Sequence, residues 1–524
     1  MVSAQLSGRD RPTKARYRGS TVATGLISLL ATLVGSLLLD ATVRPRRRRL
    51  WHWHGLLVQM LVSIALFGLF LAGAGSFPVA AVLSLAMMAL FTITSNAKHK
   101  MLGESLIFSD LALIAALFRH PRFYFTAIST GQRRMLAIGG PVLLLALALL
   151  FVPRPAPHLV GLALLVAGAG GLVFLLAAGV FAGMAPVPDV DGDLARHGLI
   201  ATLLLYWLRW RATSDPAICP PIDAPPPTDG ALPELIVIVQ CESFADPVEL
   251  TGDLRQSLPG LSRARAGAWR WGELAVSGFG AYTMRTEYGV LFGRSEASLG
   301  FRRYDPFLTA HGETSYALSA RLRGGGYHNV FVHPHDMRFY GRDRLMPAIG
   351  FDRLIGDGDF APIPAGGGRY IDDRTLGASI GELIDKAREP TLIYAVTMEN
   401  HGPWIKDRLT GSPGGFDAYL RHVRSSDAML GDLIDRLAKS GRSGLLVFFG
   451  DHRPSIPGVT EPGGDRHTPY VMLRFSAEGE TLPSLDARAD LTPDELHHAI
   501  LRCVQLPHLS NTVSQEGQSL NVSE

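Results

Sequence analysis

Apolar stretches of roughly twenty residues recur through the first 190 positions of this chain, and none has a polar face to turn toward water. They cover residues 20–39, 55–74, 77–94, 135–152 and 159–183. A helix of about 20 residues crosses about 30 Å of hydrocarbon. A cleaved signal peptide would be one short run, whereas here the first stretch is long and several follow it. The pattern therefore predicts a polytopic membrane domain of about five helices. Composition agrees: 47% of the 524 residues are hydrophobic and only 19% charged, with the apolar excess at the amino-terminal end.

Charge leaves the orientation open. Arg9, Arg11, Lys14, Arg16 and Arg18 precede the first stretch, and Arg44 with Arg46, Arg47, Arg48 and Arg49 follows it. Positive clusters favour the cytoplasm, yet these two flank one helix. Five spans with the amino terminus inside put the later residues outside, together with the second cluster. A sixth crossing at 106–118 would keep that cluster inside and the later residues still outside. The net charge of +3 offers no reason to expect a nucleic-acid partner. Three cysteines, Cys219, Cys241 and Cys503, are too few for a disulfide framework.

Beyond the last stretch, residues 196–211 are apolar and bracketed by arginine and tryptophan, which predicts a helix lying in the membrane interface. The proline-rich run at 215–227 is a stiff, extended linker. A soluble region starts near Pro233, where short β-branched runs alternate with helical stretches such as 377–386 and 419–439. That rhythm predicts an α/β domain with a doubly wound, mostly parallel sheet.

Four of its apolar runs end in residues suited to a metal or a phosphate. Residues 234–240 lead into Cys241-Glu242-Ser243, 327–332 into His333, 391–397 toward His401, and 444–449 into Gly450-Asp451-His452. Open α/β sheets gather ligands beyond the carboxyl ends of their strands, so these distant residues are expected to converge. A glycine-rich turn then precedes Thr283 at an expected helix start, where free N–H groups and the helix dipole favour a phosphate. Glu242, Asp451 and His452 with the Thr283 oxygen make a four-ligand set for manganese, magnesium or zinc. A metal on that oxygen turns a weak hydroxyl into a nucleophile at neutral pH.

These residues resemble the lipoteichoic acid synthase and phosphoglycerol transferase group of the alkaline phosphatase superfamily, and more distantly the phosphoethanolamine transferases. Glu242, Thr283, Asp451 and His452 match that group's metal set, and Glu287 stands four residues after the threonine, as in its Thr-Ser-Asp-Ala-Glu motif. Here the motif reads Thr283-Met-Arg-Thr-Glu287, so the three residues between differ. His333, Tyr340 and Arg342 repeat a histidine, aromatic and arginine spacing that in the family holds glycerol phosphate, with tyrosine where lipoteichoic acid synthases carry tryptophan. Asn400-His401-Gly-Pro-Trp404 is similar to Asn-His-x-Pro-Phe, and residues 102–111 are similar to Gly-Glu-Pro-Leu-x-x-Ser-Asp-Leu. His467 is a further active-site candidate by resemblance to the phosphoethanolamine transferases. His497 and His498 have no such company and read as residues of a surface helix.

The resemblance implies a membrane domain at 1–190, an interfacial helix and linker at 191–232, an extracytoplasmic sulfatase-like catalytic domain at 233–510 and a tail at 511–524. It implies one divalent ion, Mn2+ before Mg2+ or Zn2+. The implied activity is transfer of phosphoglycerol from phosphatidylglycerol to a glycan, glycerol-phosphate or polymer acceptor through a covalent ester on Thr283. In that scheme His401 assists the leaving group, and His333, Tyr340, Arg342 and His467 bind substrate. The alternatives are phosphoethanolamine transfer on the same fold, or hydrolysis of a phosphodiester or sulfate ester. Sulfate ester hydrolysis needs a Cys/Ser-x-Pro-x-Arg context, which none of the cysteines has. A binding domain on a degenerate scaffold would have lost a metal ligand, and none is lost.

Overall fold

The computed structural model describes residues 11–45, 52–111, 137–142, 145, 148–220, 233–363, 368–404, 414–464, 466–484 and 486–504. The expected span at 135–152, the crossing at 106–118, the Arg46 to Arg49 cluster and the linker lie partly or wholly outside these residues, as does the whole of the expected tail. Two compact units emerge: Met1–Lys100 with Glu104–Thr213, and Met101–Gly103 with Ser214–Glu524.

In the first unit, four helices among the described residues are long and apolar enough to cross a membrane: Thr21–Asp40, Trp53–Ala74, Phe77–Leu102 and Pro155–Ala177. The second and fourth pack backbone to backbone. A Cβ on Gly68 would meet the Leu165 nitrogen at 2.3 Å, and one on Gly161 would meet the Ala72 nitrogen at 2.3 Å. Small residues permit this approach where lipid supplies no hydrophobic drive between helices. The segment at 104–111 is irregular to residue 107 and helical from residue 108, and Asp110 Oδ2 accepts from the Ile107 N–H (2.8 Å) and the Lys98 ammonium (2.6 Å). The expected interfacial helix is two helices, Val190–His197 and Leu199–Ala212, broken at Gly198 with φ 80°. The Asp40 carboxylate replaces the missing cap there by accepting from the Leu199 N–H at 2.8 Å.

The second unit is built on seven strands: β1 (Leu235–Cys241), β2 (Arg270–Ala275), β3 (His328–Val332), β4 (Arg353–Ile355), β5 (Thr391–Val396), β6 (Gly444–Gly450) and β7 (His467–Phe475). Their order is β2-β7-β6-β1-β5-β3-β4. From β6 to β4 all pairs are parallel, while β7 runs antiparallel to both β6 and β2. The four apolar runs are the four adjacent central strands β6, β1, β5 and β3. Alternation splits β1 between two cores: Ile236 and Ile238 face one, and Leu235, Val237, Val239 and Cys241 the other. The first core is covered by the Thr283–Phe292 and Pro493–Cys503 helices, the second by Asp373–Lys386 and Gly415–Ala438.

The expectation of a surface histidine pair fails for His497. It is fully buried, because its helix turns that face inward and Nδ1 bonds the Val290 carbonyl at 2.9 Å. His498 is half-buried. All three cysteines are free.

Candidate active site

The ladder of the sheet places the first ligands. Cys241 of β1 stands opposite Gly450 of β6, so Glu242 and Asp451, each one residue further on, leave neighbouring strands at the same level. Asp451 N–H donates to the Cys241 carbonyl at 3.2 Å, tying the two strand ends together. Glu242, Asp451 and His452 are 4%, 0% and 2% exposed. One ligand atom from each lies within 4.8 Å of the others. His452 Nε2 is 3.3 Å from Glu242 Oε1 and 3.6 Å from Asp451 Oδ2.

Thr283 arrives from the other direction. Tyr282, with φ 79°, turns the chain sharply, and Thr283 is the first residue of a ten-residue helix. Its hydroxyl donates to Glu242 Oε2 at 3.3 Å. The hydroxyl thus sits at the positive end of the helix and against the carboxylates. Thr286, one turn in, instead donates to the Asp451 carbonyl at 2.7 Å and so braces the ligand loop.

The electrostatics of the three groups are interdependent. Burial opposes ionisation of Glu242, but the adjacent His452 outweighs it and holds the carboxyl down to about 2. Burial, and then the Glu242 charge, push Asp451 up to about 7. Against its own burial, the two carboxylates raise His452 to about 9. Asp451 Oδ2 has no hydrogen-bond partner although it is buried. An orphaned carboxylate oxygen beside a second carboxylate and an imidazole is the donor set a divalent cation takes. The residues fit such an ion.

A second group forms behind the helix. Arg342, 1% exposed, grips Glu287 with two nitrogens, Nε at 3.0 Å from Oε1 and a second bond from Nη2 to Oε2. Its Nη1 lies 3.3 Å from His333 Nε2, and His333 Nδ1 lies 3.0 Å from the Val396 carbonyl. Arginine only donates, so Nε2 accepts and the proton sits on Nδ1. Burial, and then Arg342, hold His333 well below its usual range, so the ring is neutral. The Tyr340 ring lies 5.1 Å from the guanidinium carbon, with Tyr340 itself at φ 58°.

A sequence profile described as Sulfatase matches residues 234–505. The chain belongs to the sulfatase family. Capsular polysaccharide biosynthesis protein RkpI of Rhizobium meliloti is 28% identical over 448 residues, 80% of this chain and 81% of that protein. Phosphoglycerol transferase I of Xanthomonas axonopodis pv. citri is 27% identical over 150 residues, 26% of this chain but only 21% of that protein. Among solved structures, the integral membrane protein lipooligosaccharide phosphoethanolamine transferase A of Neisseria meningitidis shares the fold with TM-score 0.54 and 14% identity, over 92% of this chain and 95% of that one. The protein is therefore a membrane protein with a domain of the alkaline phosphatase superfamily, whose metal chemistry suits the donor set described.

Within this sulfatase-family domain the structure brings Glu242, Thr283, Asp451 and His452 together, and separately His333, Tyr340 and Arg342. A chain of rings joins His333 to His401: His333 to His335 at 5.8 Å, His335 to Tyr370 at 6.0 Å and Tyr370 to His401 at 5.7 Å. His467 keeps other company, with Nε2 at 2.7 Å from Arg453 Nη2, 3.4 Å from Glu249 and 3.6 Å from Glu273. Arg453 links it to the ligand set, through a carbonyl that meets His452 Nδ1 at 3.1 Å. His335 and Tyr370 stand outside the motif reading, and Ser243 enters it only as part of the run after β1, with no role of its own. His335 sits two residues past His333 and Ser243 one past Glu242, so proximity to a motif residue was the available signal. Tyr370 offered none.

Proposed function

We propose that this chain is a metal-dependent phosphoglycerol transferase that takes its donor from the membrane and passes the group to a polysaccharide or polymer on the far side. The observation that carries the reading is the Thr283 hydroxyl at a helix start, 3.3 Å from Glu242 and beside the buried Asp451 and His452. Glu242, Asp451, His452 and Thr283 would hold one divalent ion, manganese before magnesium or zinc. That ion supplies positive charge that lowers the pKa of the threonine hydroxyl and offsets charge building on the phosphoryl oxygens.

The rest falls to the protein's own groups. Thr283 Oγ, its proton passing to the Glu242 carboxylate that it faces, attacks phosphorus; a phosphoryl ester forms on the threonine, and the bond to the diacylglycerol oxygen breaks. His401, at the far end of the ring chain, gives that oxygen its proton and then takes one from the acceptor hydroxyl, whose oxygen bonds to phosphorus as the Thr283 Oγ–phosphorus bond breaks and the threonine recovers its proton from Glu242. Arg342, Tyr340 and neutral His333 form the wall against which the head group is held, with His467 a more distant contributor to the substrate side. The name of the phosphoglycerol transferase relative supports the donor, and that of the capsular polysaccharide relative a glycan acceptor. The catalytic domain faces the periplasm or exterior, where such acceptors lie.

Phosphatidylglycerol labelled in its head group, followed by peptide mapping, tests the reading, with phosphatidylethanolamine as the second arm because that chemistry uses the same fold. Label is expected on Thr283, and Thr283→Ala should lower the rate by several orders of magnitude. Label elsewhere, or near-normal turnover by Thr283→Ala, would overturn the covalent scheme. Transfer from the ethanolamine lipid alone would replace the donor.

A further inference from the structure

Behind Glu242, the loop leaving β1 is gripped by side chains to which the transfer scheme gives no part. Ser243 is 2% exposed with φ 50°, a backbone shape that L side chains rarely adopt. That turn aims its N–H at Asp451 Oδ1, 2.7 Å away, and its hydroxyl at Glu242 Oε1, 2.8 Å away. A single residue thereby donates to both carboxylates of the candidate metal set. Its carbonyl is held in turn by Asn400 Nδ2 at 3.1 Å and by the Tyr419 hydroxyl at 3.2 Å, a proton shared with the Ala245 carbonyl at 3.0 Å. Tyr419 is fully buried, accepts the Ala245 N–H at 3.0 Å, and meets the Trp404 ring edge-on at 5.3 Å.

Two buried carboxylates side by side repel each other, and left to themselves they would splay apart. Donors fixed on one backbone unit cancel part of that repulsion and set the distance between them, while Asp451 Oδ2 is left without a partner. We propose that Ser243, clamped by Tyr419 and Asn400, is a positioning residue that sets the Glu242 and Asp451 spacing for a divalent cation. The inference rests on the metal reading above. It assigns the clamp a role in ion affinity, beyond that of keeping the loop folded.

The test uses the full-length protein in detergent, stripped by a chelator and titrated with Mn2+ and separately with Zn2+ by calorimetry, alongside thermal melting. Losing a hydrogen bond behind a metal ligand typically weakens binding about 10- to 100-fold. Ser243→Ala and Ser243→Gly should both show that loss, and Tyr419→Phe a loss in the same direction. Glycine adopts this backbone without strain, so Ser243→Gly separates the hydroxyl from the loop's shape. Wild-type affinity in Ser243→Gly, or in both serine variants, overturns the proposal. Binding abolished by Asp451→Ala but untouched by the serine variants would overturn this inference alone. A wild-type protein that takes up neither ion overturns the metal reading as well.

Discussion

Arg342 and Glu287 illustrate how a residue with a motif's spacing can serve a neighbour before it serves a substrate. The carboxylate is fully buried and both its oxygens are spent on the guanidinium, which leaves only Nη1 turned toward His333. Taking away one partner of such a pair strands the other charge out of water, at about 3–5 kcal/mol. Glu287→Ala should therefore lower the stability of the folded domain by that order, read from denaturant unfolding, whereas Glu287→Leu combined with Arg342→Met should recover much of it without recovering turnover. A loss under about 1 kcal/mol for the single variant would show that the pair is not held as described. The same arrangement explains a limit of motif reading: spacing located Arg342, but only the fold reveals that Glu287, four residues after Thr283, is its counter-ion.

Elements were legible where one physical rule dominated. The central strands announced themselves because buried parallel strands are uninterrupted apolar runs, and the carboxyl-end rule then assembled the ligands without further help. β2 and β4 are the two edge strands, and β7 pairs antiparallel with both its neighbours. β4 has only three residues, and β7 carries Pro469 within it, a residue that argues against a strand unless the pairing leaves its nitrogen free. His497 went unread for another reason: an imidazole on an amphipathic helix counts as polar by type, while its burial depends on a carbonyl of a different helix. Burial, and then the nearby His498, pull His497 down to about 3, against about 6.5 in an unfolded chain. Between those values the unfolded state binds a proton that the folded state refuses, so this group's contribution to stability falls as pH drops below about 6.5. The stability difference between wild type and His497→Asn should be constant above that pH and should shrink below it, by up to about 1.4 kcal/mol per unit. Urea midpoints at pH 7.5 and pH 5 that differ equally between the two proteins would contradict this. The Val290 bond ties this helix to the Thr283–Phe292 helix, so acid should weaken one support of the threonine's helix.

At the scale of the molecule, the apolar repeats and the α/β rhythm separated a membrane part from a sheet domain, and the described residues bear out both. The side of the membrane on which the domain lies is a matter for labelling. Ala477 is exposed, and among the native cysteines only Cys219 is not buried. In a Cys219→Ser background, Ala477→Cys should react with a membrane-impermeant maleimide in intact spheroplasts. Protection until lysis would put the domain in the cytoplasm and remove the proposed acceptors. The sheet order bears on the order in which the protein is made. β1, the first strand of the domain, occupies the centre, and Asp451 joins Ser243 across 208 positions of chain. A nascent chain carries Glu242 long before it carries Asp451 and His452. The candidate ion site is complete in sequence only once Asp451 and His452 have been added, late in the synthesis of the domain, so a chain that stops short of them lacks two of its four proposed ligands.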